Sequence, residues 1–105
     1  MRKIRYISVP LNEKGIKDYN YGKEDSDNIK VLELSENEFY DLYDNGIFDK
    51  INLKCNLLID DYESEKISDS NLEIALNIVK ENKCDILVRA LELAIKYNTL
   101  VGLDF

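Results

Sequence analysis

The chain reads as an α+β domain: a single mixed or antiparallel sheet of about four strands, with about three helices packed mainly on one face. Three observations predict this. Lys3–Val9 and Ile29–Leu34 are short runs rich in β-formers. Two Ser-x-x-Glu boxes, at Ser35/Glu38 and Ser70/Glu73, each open an apolar stripe of helical spacing. The strand candidates lie too far apart in sequence for a regular βαβ series. A length of 105 residues fits one domain, 1–105.

In chain order, Ile4, Tyr6 (or Ile7) and Val9 make the first strand, and Pro10 ends its ladder because it has no N–H to donate. Asn12–Asn28 reads as a long loop, with Gly15, Gly22 and many Asp, Asn and Ser residues. Tyr19 and Tyr21 are unusual for a plain linker. Ile29–Leu34 is a second, apolar strand. The Ser35 box then starts a helix that buries Phe39, Leu42 and Tyr43, and Asn45-Gly46 supplies a left-handed stop.

Ile51–Ile59 shows the cleanest alternation. Ile51, Leu53, Cys55, Leu57 and Ile59 alternate with Asn52, Lys54, Asn56 and Leu58, which predicts a strand with one buried face. The Ser70 box opens a helix with Leu72, Ala75, Leu76 and Val79 inward. Asn82-Lys83 interrupts the pattern, and Asp85 begins a third helix with Leu87, Ala90, Leu91 and Ala94 on one face. Asn98-Thr99 turns the chain into a closing strand, Leu100–Phe105.

Several kinds of chemistry have no foundation in this chain. There is no histidine, so the commonest general base and the commonest metal ligand are missing. The four glycines are isolated and form no phosphate loop. Asp60, Asp61, Glu63 and Glu65 lack the glycine and the spacing of a calcium loop. The expectation is a protein that is not an enzyme, with no cofactor and no metal. Cys55 and Cys84 lie in apolar patterns without Cys-x-x-Cys spacing and read as reduced thiols. No apolar run approaches the roughly 20 residues of a membrane span, and the start has no secretory h-region. A cytoplasmic protein is expected, without affinity for membrane or nucleic acid.

Charge is the positive signal. The net charge is −7, and it is segregated. Residues 24–49 carry −8 and residues 60–73 carry −5, whereas residues 1–23 carry +4. Such crowding costs self-repulsion and suits either solubility or attraction of a basic partner. Tyr40 and Tyr62 fall inside the acidic windows, and tyrosine gives contact area at low entropy cost. The expected partner surface therefore comprises Glu36, Tyr40, Asp60, Asp61, Tyr62 and Glu63. The plainer reading of the same residues is a solvated, solubilising face.

The run Leu58-Ile59-Asp60-Asp61-Tyr62-Glu63, followed by Ile67 and by Leu72 at a helix start, resembles small immunity proteins of bacterial contact-dependent growth inhibition and related polymorphic toxin systems. The ending from Ala94 to Phe105 is similar too. The likeness covers the last half of the chain. It implies an immunity protein that neutralises a cognate toxin domain with a basic, nuclease-like groove. The alternative is a small regulatory or adaptor protein acting through protein contacts or as a homo-oligomer, with Ile51–Ile59 as the pairing strand.

Overall fold

Strand alternation decides the architecture. The structure, a computed structural model, describes residues 5–23, 26–59, 64–81 and 85–105. Its elements are β1 (Arg5–Pro10), α1 (Glu13–Asn20), β2 (Ile29–Leu34), α2 (Glu36–Asp44), α3 (Ile47–Cys55), β3 (Ser64–Ser68), α4 (Asn71–Lys80), α5 (Asp85–Tyr97) and β4 (Leu100–Asp104). The strands form one sheet in the order β2-β1-β4-β3, with every neighbouring pair antiparallel. Ile7 lies opposite both Leu32 and Leu103, and Ile67 lies opposite Val101. These residues share one face with Val9 and Leu34, and all are buried. The α+β class and a single sheet of four strands are as the sequence predicts, although its third strand is Ser64–Ser68 and not Ile51–Ile59.

Helices α2 to α5 join that face in a single hydrophobic core. Helix α5 lies across β1, β2 and β4, and α4 backs β3. Ala90 and Ala94 are fully buried. With no side chain beyond Cβ, they let α5 sit close to the sheet, while Leu87 and Leu91 fill the space beside it. Each buried leucine contributes about 1.5–3 kcal/mol. Asn98 ends α5 at a positive φ of 55°, and the Thr99 and Asn98 N–H groups donate back to the Ala94 and Ile95 carbonyls. The Thr99 hydroxyl donates to the Pro10 carbonyl, so Pro10 closes β1 at a satisfied end.

Three sequence expectations need correction. The first is the loop over 12–28, because residues 13–20 form α1. Asn12 is extended and its Oδ1 accepts the Gly15 N–H at 2.8 Å, which caps the helix. Helix α1 lies on the sheet face opposite the main core. A Cβ on Gly15 would meet the Asn28 carbonyl, so only glycine allows this approach.

The second correction is the strand Ile51–Ile59. Residues 47–55 are α3, and the buried set is Ile47, Phe48, Ile51 and Cys55, at helical spacing. Leu53 is 82% exposed. Asn56 stops the helix in the left-handed region, and the Asn52 side chain then clamps the returning chain. Its Oδ1 accepts the Ile59 N–H at 2.7 Å and its Nδ2 donates to the Ile59 carbonyl at 3.2 Å. Ile59 is buried by this return, not by a strand. The adaptor reading therefore loses its pairing strand.

The third concerns details of the helices. The Ser35 capping box forms in both directions, with Glu38 N–H to Ser35 Oγ at 3.2 Å and Ser35 N–H to Glu38 Oε1 at 3.1 Å. Ser70 makes no side-chain cap. Its backbone is already helical, at φ −63° and ψ −21°, so it lacks the extended geometry that aims a capping hydroxyl. Tyr43, expected in the buried stripe, is 52% exposed. With α1 and α3 the described helices number five.

Cys55 is a buried free thiol whose Sγ lies 3.8 Å from the Asn71 carbonyl, and burial raises its pKa. Cys84 lies outside the described residues. Among the described residues no helix is long and apolar enough to cross a membrane.

Candidate protein-interaction surface

Helix α2 is built so that its outer side is acidic. Phe39 and Leu42 turn inward and are buried. At 3.6 residues per turn, Glu36, Tyr40 and Asp44 then follow one another along the outer side, with Asp41 beside them. Tyr40, Asp41 and Asp44 are exposed and Glu36 is half-buried. Asp49, in the first turn of α3, is exposed as well.

The root of this ridge is stiff. The Phe39 ring packs at centroid distances of 5.3 Å from Phe48 and 5.2 Å from Phe105. Tyr40 and Tyr43 lie 5.4 and 5.8 Å from Phe39. The buried Arg5 guanidinium sits 3.8 Å from the Phe39 ring centroid and 5.5 Å from that of Tyr40, a cation on aromatic faces. Both tyrosines are thus held at their bases and open at their tips, the form a rigid contact residue takes.

Placement of charge within α2 is informative. Glu36 and Glu38 occupy the first turn, where the helix dipole favours acid. Asp41 and Asp44 occupy the last turns, where the dipole disfavours it, and no base is there to compensate. Asn45 donates to the Asp41 carbonyl at 2.6 Å and to its carboxylate at 3.3 Å, which ties down one of the two.

Of the expected contact residues, the structure brings Glu36 and Tyr40 onto one helix face. Asp60, Asp61, Tyr62 and Glu63 lie outside the described residues. Sequence reasoning did not single out Asp41 and Asp44 as members of the same ridge, although helical spacing from Tyr40 was available to find them. Tyr19 also belongs elsewhere: it is half-buried against β4, and its hydroxyl donates to Asp104 Oδ1 at 3.2 Å. Burial first, and the Asp104 charge second, push the Tyr19 phenol well above its ordinary value. Among the described residues no group of three or more His, Cys, Asp or Glu side chains is placed to hold a metal ion.

No protein-family model matches the chain, and a search of curated sequences finds no match. A solved structure does share the fold. The Neisseria DNA mimic protein DMP12 superposes with a TM-score of 0.58 at 16% identity, covering 97% of this chain and 98% of that one. At that identity the likeness shows the fold. It overturns the partner expected from sequence, a cognate toxin domain, because the structural neighbour is a DNA mimic protein.

Proposed function

We propose that this chain is a non-enzymatic, cytoplasmic protein that presents its acidic α2 ridge to the DNA-binding groove of a basic protein, in place of a nucleic-acid backbone. The observation that carries the reading is the charge on α2. Of the four acids in these nine residues, about 13.5 Å of helix, Glu38 is taken up by the capping box, and Glu36, Asp41 and Asp44 on the outer side give one negative charge per about 4.5 Å. A single strand of B-DNA carries one charge per about 3.4 Å along its axis, a spacing of the same order. Two of the four acids stand against the helix dipole, so their positions are not explained by helix stability. Tyr40 adds a ring at the centre of the row. The described name of the structural neighbour supports the same reading.

A basic groove shaped for phosphates would meet this ridge through exposed charge, so association should slow as salt rises. The test uses the immobilised protein and the DNA-binding fraction of the source cell. A basic protein should be retained at low salt and released by added duplex DNA. The folded variant Glu36→Lys/Asp41→Lys/Asp44→Lys should retain none. A retained partner that duplex DNA does not displace would sink the mimicry reading, as would a fraction from which nothing is retained.

A further inference from the structure

The sheet face turned away from the main core carries a groove of about 680 Å³. Small-molecule sites span roughly 300–1,000 Å³. Tyr6, Tyr19, Ile29, Val31, Lys66 and Asp104 line it. Its floor is made by strand alternation: Tyr6 lies opposite Asp104, Ser8 opposite both Val31 and Gly102, and Lys66 opposite Gly102. One wall is the Tyr19 ring. It lies where a Cβ on residue 102 would stand, so Gly102 lets it rest against the β4 backbone.

The polar groups in the groove are sorted by sign. Asp104 accepts from Tyr19 at 3.2 Å and from Ser8 at 3.5 Å, so hydroxyl donors occupy both carboxylate oxygens. Lys66 Nζ donates to Asn20 Oδ1 at 2.7 Å and sits 5.6 Å from the Tyr19 ring centroid. Asn20 takes one of its three hydrogens and fixes the ammonium at the rim, where it can donate to a ligand. Lys23 lines the same rim. Val31 is 46% exposed and Tyr6 is 41% exposed, which leaves apolar surface beside these two cations. Of the charged residues that line the groove, Lys23 and Lys66 outnumber Asp104, and both Asp104 oxygens already accept from hydroxyls, so the free charge at the rim favours an anion.

We infer that this groove binds a small molecule with a flat apolar body and one anionic group, the body lying on Tyr6 and Val31 and the anion meeting Lys66. The Lys66 ammonium is already positioned, so little side-chain freedom is lost on binding. The site is separate from the α2 ridge and stands whether or not that ridge binds a protein.

Anilinonaphthalene sulfonate, an aromatic anion, serves as the probe, followed by the backbone amide NMR spectrum. Saturable one-to-one shifts are expected at Tyr6, Val31, Lys66 and Asp104. Lys66→Glu and Val31→Asp should each weaken binding by about tenfold or more, the loss expected for one charge-assisted hydrogen bond or for a disrupted apolar contact. The uncharged phenylnaphthylamine should bind about tenfold more weakly than the sulfonate, by the same reasoning. Glu36→Lys should bind as wild type does. The spectrum of each variant also reports its fold, and Lys66→Gln provides a milder replacement. Shifts centred elsewhere, absence of saturation, or wild-type affinity in folded Lys66→Glu and Lys66→Gln would overturn the assignment.

Discussion

The two faces of the sheet are covered in different ways. One carries four helices over a continuous apolar core, and their outward residues include the acidic ridge. Among the described residues the other carries α1, whose one buried residue is Gly15 and which is held by polar contacts from Asn12, Asp18, Tyr19 and Asn20. On the first face, packing and surface charge are separable, because Phe39 and Leu42 hold α2 whatever its outer residues are. On the second, two of the residues that hold the helix, Tyr19 and Asn20, also line the groove.

The largest expected effect tests the first face. Phe39 joins Phe48, Phe105, Tyr40, Tyr43 and the Arg5 guanidinium. Phe39→Ala should destabilise by about 3–5 kcal/mol in urea unfolding, since it opens a cavity and removes the nearer of the cation's two aromatic partners. A loss below 1 kcal/mol, roughly the level of an exposed site, would show that α2 is held by something else.

Slightly smaller is the contrast within α3. Ile51→Ala should cost about 2–5 kcal/mol, whereas Leu53→Ala should change stability by no more than about 0.5 kcal/mol. Equal losses would restore the alternating strand and break the four-helix face.

On the other face, Tyr19→Phe should cost about 0.5–1.5 kcal/mol near neutral pH, the worth of one hydrogen bond to Asp104. The pH dependence has a definite sign. The folded phenol is raised above its ordinary value of 10.0, so the folded state holds a proton that the unfolded state releases. Wild type therefore loses stability as pH rises beyond 10, and Tyr19→Phe lacks this loss. Parallel stability curves for the two proteins above that pH would contradict the burial of the Tyr19 phenol beside Asp104.

The smallest effect is the most diagnostic of function. Asp44→Lys places a cation in the last turn of α2 and should stabilise the protein by about 0.3–1 kcal/mol at low ionic strength. The same change should weaken capture of a DNA-displaceable partner. A gain in stability with no loss of binding would reduce the ridge to a solvated surface.

These contrasts also show what was legible before folding. Leu72, Ala75 and Val79, and Leu87, Ala90, Leu91 and Ala94, are buried at the spacing read from the chain, because each helix has one apolar stripe and few competing patterns. The Ser35/Glu38 box formed because its hydrogen bonds are local to one turn. Helix α1 escaped notice because it has almost no apolar stripe: its signals were Asn12 as a cap, Glu13 in the first turn and Lys17 in the last. In α3, Ile51 and Cys55 satisfy period two and period four alike. Exposed Leu53 and half-buried Leu57 completed a false alternation.

Composition and local spacing by themselves determined the α+β class, the core stripes of α4 and α5, the start of α2 and the acidic windows, since each follows from interactions within a few residues or from net charge. Tertiary structure alone decided that residues 47–55 coil, because Ile47 and Phe48 could reach the core with Ile51 only on a helix. It also decided the strand order and the groove. Tyr19 meets Asp104 across 85 residues and Lys66 meets Asn20 across 46, and no local pattern encodes contacts at such separation. The acidic ridge needed both levels: the sequence placed the carboxylates, and the burial of Phe39 and Leu42 turned Glu36, Tyr40, Asp41 and Asp44 outward together.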